Sequence, residues 1–149
     1  MSAVFATKTQ SPYAENESEG KVIAHVGIQV SDIERSKKFY SEALKPIGYQ
    51  MIREYGATPS RPRASAGFGE SSRADLWIYQ GEPEAASTHI AFQVSRRALV
   101  DAFYQAAIAA GGKDNGRPGL RPQYSPNYYG GFVLDPDGYN IEALCREAE

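Results

Sequence analysis

AHVGIQVS, residues 24–31, and THIAFQVS, residues 88–95, decide how this chain folds. They hold both of its histidines, each followed at the same spacing by Gln-Val-Ser. Sliding the sequence on itself by 64 positions, without gaps, pairs residues 25–78 with 89–142 and gives twelve identities. These include His25/His89, Gln29/Gln93, Ser31/Ser95, Phe39/Phe103, Tyr40/Tyr104, Gly48/Gly112, Gly67/Gly131 and Phe68/Phe132. Chance pairing of such compositions gives about three or four. The chain therefore reads as an internal duplication.

Each copy opens on a strand. Val26, Ile28 and Val30 alternate with His25, Gly27 and Gln29, as Ile90, Phe92 and Val94 do with His89, Ala91 and Gln93. Alternate side chains point to opposite faces, so one face is apolar and the other carries a His and a Gln in both copies. A helix follows each strand. Ser31 with Glu34 reads as a capping box and Ser95 as the second cap. Ile33, Ser36, Phe39, Tyr40, Ala43 and Leu44 recur at helical spacing, as do Leu99, Phe103, Ala106, Ala107 and Ala110. Gly48 and Gly111–Gly112 close the helices.

Strands are expected at about 49–55, 63–69 and 75–80, and at about 128–135 and 139–145. "DPDG" (135–138) makes a tight turn between the last two. The Gly- and Pro-rich 113–127 reads mostly as loop, with at most a short strand. The expectation is an α+β fold of two tandem βαβββ modules, 22–80 and 88–149, joined by a linker at 81–87. The helices lie outside and the sheets meet around a cavity. Residues 1–21, polar and without periodicity, read as a mobile tail.

The totals narrow the function. A length of 149 residues suits one domain or two small fused modules. A net charge of −2 gives no electrostatic footprint for nucleic acid or an anionic membrane. No stretch reaches membrane-spanning length. The single cysteine, Cys145, excludes an intrachain disulfide and suits a reducing compartment, so the expected location is cytoplasmic.

In the last strand, "YNIEALC", Glu142 sits between apolar neighbours and needs a cation, a proton or a good donor. Two imidazoles and a carboxylate, His25, His89 and Glu142, suit a divalent metal with open coordination positions. Each histidine alone also reads as an ordinary half-buried residue, and Glu142 as an arginine partner. Their repeat-equivalent placement favours ligation. Gln29 and Gln93 share the cavity face, where they either orient substrate or are simply solvated. Asn127, Tyr128 and Tyr129 lead into the strand before Glu142. The tyrosine hydroxyls are candidates for proton transfer, and packing is the alternative. Arg121 reads as a clamp for a substrate carboxylate or as a solvated loop residue. The stretch around Ile78, "DLWIYQ", is expected to supply an apolar wall of the substrate pocket from one face, with Ile78 taken as the pocket residue, and core from the other.

"HVGIQVSDIERSKKFY", "THIAFQV" and "YYGGFVLDPDGYNIEAL" together resemble the vicinal oxygen chelate superfamily, the glyoxalase, bleomycin-resistance and extradiol-dioxygenase group. The resemblance spans residues 22–146. It implies paired βαβββ modules and ligands from the first and last strands of each, here His25, His89 and Glu142. The repeat partner of Glu142 is Ile78, which cannot ligate, so the pattern looks like the three-ligand members and departs from glyoxalase I. Ser125 stands where similar sequences often carry a histidine, which leaves no spare imidazole for dioxygenase acid–base chemistry. The expected function is a metalloenzyme of lyase, isomerase or dioxygenase type, using Fe²⁺, Mn²⁺, Zn²⁺ or Ni²⁺ on a small oxygen-chelating substrate. The alternatives are a metal-free, bleomycin-resistance-like binding protein and a metal-free isomerase or cyclase. The resemblance also implies a homodimer, since family members of this size often pair and some exchange modules between chains, in which case His25 of one chain would meet His89 and Glu142 of the other.

Overall fold

The computed structural model describes residues 23–149, so the tail expected at 1–21 lies outside the described residues. The first module runs β1 (Val26–Val30), α1 (Ile33–Ala43), a 3₁₀ turn (Lys45–Ile47), β2 (Gln50–Tyr55), β3 (Ser65–Glu70) and β4 (Arg73–Gln80). The second runs β5 (His89–Gln93), α2 (Arg97–Ala109), β6 (Lys113–Leu120), β7 (Tyr129–Leu134) and β8 (Asn140–Cys145). Each module folds into a four-stranded mixed sheet, ordered β1-β4-β3-β2 and β5-β8-β7-β6. β1 and β5 lie parallel to β4 and β8, and the other pairings are antiparallel.

α1 covers one face of the first sheet, burying Phe39, Tyr40 and Ala43 against Ile28, Val30, Phe68, Leu76 and Ile78. α2 does the same for the second with Val100, Phe103 and Ala107. The two helices also pack on each other. The DPDG turn fastens the modules together. Gly138 takes φ 93°, and the buried Asp135 accepts from the Tyr40 hydroxyl at 2.7 Å. The Tyr139 hydroxyl donates to the Gln29 carbonyl at 2.7 Å and accepts from the Glu84 amide at 2.9 Å. Asp137 takes the Ser31 amide and Arg35.

Three local expectations are corrected. α1 is capped by Asp32, which accepts from the Arg35 amide at 3.0 Å, because Ser31 is engaged by Asp137. α2 has no side-chain cap of its own. Ser95 lies one residue too early, and the Glu149 carboxylate takes the Arg97 amide instead at 2.9 Å. Residues 113–120, read mostly as loop, form the eight-residue strand β6. β6 is an edge strand, where Pro118 and a Gly116 at φ 146° are tolerated as register breaks.

The fourth difference changes the reading of the repeat. The offset of 64 holds for β1 and β5 but not for the strands beside them. Gly27 pairs with Trp77, whereas its counterpart Ala91 pairs with Glu142. The second copy thus carries one residue more between its first and last strands. Trp77, not Ile78, occupies the place of Glu142. A one-residue shift exchanges the faces of a strand, so Ile78 is fully buried under α1 and does not line a substrate pocket.

Candidate functional site

β8 puts Glu142 on the uncovered face of the second sheet. There Ala91 of β5 and Phe132 of β7 flank it. The carboxylate is 1% exposed, and both of its oxygens have partners. Oε1 accepts from the Tyr128 hydroxyl at 2.6 Å, and Oε2 lies 2.8 Å from Nε2 of His89. His89 reaches it because β5 runs parallel beside β8, and its ring stays 49% exposed toward the open side. The room comes from Gly130. A Cβ there would stand 2.9 Å from Glu142 Oε1 and 3.1 Å from Tyr128 Cε1.

Burial holds the Tyr128 hydroxyl well above the usual phenol range, reinforced by its bond to the Glu142 carboxylate and by that charge. Tyr128 therefore stays protonated, and its hydroxyl serves as a hydrogen-bond donor to Glu142. Around this centre, Phe132 packs against the His89 ring and Arg121 lies over Phe132 at 5.6 Å. Arg146 stacks over Tyr128 and donates to Gln93 Oε1 at 2.8 Å.

The other candidates divide by face. Tyr129 is turned to the helix side, where its hydroxyl meets Asp101 at 2.8 Å, so Tyr129 is not part of the centre. A residue next to Tyr128 on a strand must point the opposite way. Arg121 also donates to the Arg117 carbonyl and is half-buried. Asn127 is exposed at the start of the turn into β7. Gln29 lies on the uncovered face of the first sheet and accepts from Arg63 at 3.2 Å.

His25 sits just before β1, exposed. His25 and His89 border one groove between the modules, about 570 Å³ in volume and walled by Ile47, Tyr49, Leu76 and Phe92. Within one protomer, no three His, Cys, Asp or Glu among the described residues converge to hold a metal ion. His89 and Glu142 are brought together, and His25 is not brought to them. A divalent ion fits this donor set only if a third ligand comes from elsewhere.

Reading the sequence missed the Asp135–Tyr40 link and the role of Gly130. A glycine two residues from the partner of a mid-strand glutamate, on the same face of the neighbouring strand, was the available signal. Among the described residues, no helix is long and apolar enough to cross a membrane.

The Glyoxalase/Bleomycin resistance protein/Dioxygenase superfamily model matches residues 22–143. No curated protein sequence matches. Among solved structures, a glyoxalase/bleomycin resistance protein from Albidiferax ferrireducens T118 is 30% identical at a TM-score of 0.64, over 85% of this chain and all of that one. The fosfomycin resistance protein FosX from Listeria monocytogenes shares the fold at 17% identity and a TM-score of 0.61, over 85% and 94% of the two chains. A glyoxalase I mutant from Zea mays does so at 20% identity and a TM-score of 0.61, with 85% of this chain covering 45% of that one. With the paired sheets, the parallel first strands and a family match over most of its length, the chain belongs to the glyoxalase/bleomycin resistance protein/dioxygenase superfamily.

Proposed function

We propose that this chain is a small metalloprotein acting on an organic substrate that offers two oxygens to a divalent ion. Fe²⁺, Mn²⁺, Zn²⁺ and Ni²⁺ all suit its ligands. His89 and Glu142 of one copy and His25 of a second copy would hold the ion, which makes the working unit a homodimer. The carrying observation is the pairing of His89 with a buried Glu142 on the sheet face that α2 leaves free, while His25 stands apart in the other module.

When bound, the ion supplies Lewis-acid polarisation of substrate oxygens. The chain's own residues do the rest. Tyr128 fixes the Glu142 carboxylate through its hydroxyl. Arg146 fixes Gln93 beside the opening, and Phe132 and Leu144 present apolar surface that limits water at the carboxylate. Support for a lyase, isomerase or dioxygenase type of reaction comes from family membership alone. The lone, buried Cys145 suits a cytoplasmic setting.

One observation favours a second reading, a metal-free protein that sequesters a small molecule. Glu142 is already satisfied by Tyr128 and His89, so its burial does not require a cation. Metal analysis of protein purified without chelators separates the two. The metalloprotein reading expects about one ion per chain, lost in His25→Ala, His89→Ala and Glu142→Ala. Mixing unfolded His25→Ala and Glu142→Ala chains and refolding them together should restore about a quarter of the sites, because half the dimers are mixed and each has one intact ligand set. Wild-type protein without metal, or no recovery on mixing, overturns the shared centre.

A further inference from the structure

The uncovered face of the first sheet carries a surface that no metal ligand explains. Trp77 stands where the second module has Glu142. Its ring plane lies within 8° of Tyr55 and within 20° of Tyr79, at centroid separations of 6.0 and 6.2 Å. Two glycines make this arrangement fit. A Cβ on Gly67 would come within 3.0 Å of the Trp77 indole, and one on Gly27 within 2.9 Å of the Tyr79 ring. The rings thus cross over strands that have no side chain beneath them. Tyr55 is exposed and the other two are half-buried, so part of their surface remains open.

Positive charge surrounds these rings. Arg53 pairs with Gly67 across β2 and β3 and so shares their face. Arg61 lies 4.2 Å over the Tyr55 ring, and Arg63 donates to Gln29 at the Tyr79 end. All three arginines are exposed, and none has an acidic partner among the described residues. Near-parallel aromatic faces favour an offset-stacked planar ring. Unpaired guanidinium groups favour a carboxylate, which they can grip with two bonds.

We infer that the Tyr55–Trp77–Tyr79 rings and the neighbouring arginines form the recognition half of the site, and that the ligand is a planar aromatic carboxylate. Its ring stacks on Trp77 and its carboxylate meets Arg53 and Arg61. The inference rests on the proposal above only in joining this face, which β1 brings beside Trp77 at Gly27, to the nearby His25 as one site. It survives if the protein proves to be metal-free.

Trp77 is the single tryptophan of the chain, so its fluorescence reports on the rings directly. The full-length protein is titrated with benzoate by fluorescence, and with 2-naphthoate, 2-naphthamide and cyclohexanecarboxylate by calorimetry. Quenching by benzoate is expected. 2-Naphthoate should bind at least about tenfold more tightly than its amide or the non-planar acid. Trp77→Leu should weaken 2-naphthoate about three- to tenfold, and Trp77→Phe less. The exposed pair Arg53→Gln/Arg61→Gln should equalise acid and amide while leaving amide binding intact. Equal affinity for acid and amide in the wild type, or 2-naphthoate binding unaffected by Trp77→Leu, overturns the inference, as does no binding of 2-naphthoate. Running the same titration on Glu142→Ala separates the two readings. Retained naphthoate binding there, together with a metal-free wild type, sinks the metal centre and leaves the aromatic site standing.

Discussion

A single hydrogen atom in place of a side chain decides whether the second module can hold its carboxylate. Gly130 has no need of unusual backbone angles, and its value is space alone. A methyl group there meets Glu142 Oε1 at 2.9 Å. Gly130→Ala should therefore push the carboxylate away from Tyr128 and His89. Overpacking of this kind costs about 1–3 kcal/mol, readable as a lower urea midpoint. If Glu142 ligates a metal as proposed, disturbing its partners should also weaken metal binding about 10- to 100-fold, readable by competition with a chelating dye. An alanine variant that keeps both properties would show that the crowding is relieved at no cost. Glu142 was legible in the sequence, because a mid-strand glutamate among apolar neighbours asks for a partner. Tyr128 and Tyr129 could not be separated without knowing the register of β7, since neighbours on a strand differ only in the face they take.

At the scale of elements, the duplication was legible because His, Gln and Ser recur at the same offset in β1 and β5. The strands themselves followed from alternation. What the offset could not reveal was the extra residue further along the second copy. Matching residues such as Phe68 and Phe132 look equivalent in sequence, yet Phe68 is core and Phe132 flanks Glu142. Strand β6 escaped detection for a different reason: its glycines and proline contradict strand propensity, and only an edge position tolerates them. The shift of register makes a sharp prediction. Trp77→Glu places a carboxylate on the open face, and the chain should still fold. Ile78→Glu puts an unpaired charge beneath α1, where burial costs several kcal/mol, and soluble folded protein should be lost. Far-UV circular dichroism and urea melts of the two variants compare them directly. The reverse order of stability would restore the ungapped alignment of the copies.

Across the whole molecule, the modules are joined through buried tyrosines rather than through a continuous sheet. Burial, aided by Asp135, holds Tyr40 far above the usual phenol range, and Tyr139 is raised too, again chiefly by burial. In the unfolded chain these phenols lose their protons near pH 10. Above that pH the unfolded state binds fewer protons than the folded one, so stability falls as pH rises, and it continues to fall until the folded phenols ionise. Urea midpoints should change little between about pH 7 and pH 9 and drop steeply above pH 10. Tyr40→Phe should flatten that drop while lowering the midpoint at pH 7, because Asp135 loses a donor.

The Tyr139 hydroxyl has a consequence for how the duplicated halves behave as one body. It holds the end of β1 through Gln29 and the linker through Glu84, from a turn that belongs to the other copy. Neither half can come apart without stripping bonds from its twin. Two domains born of one ancestor could have melted in separate steps; bound together in this way, they are expected to melt in one, with fluorescence and far-UV circular dichroism giving coincident urea curves.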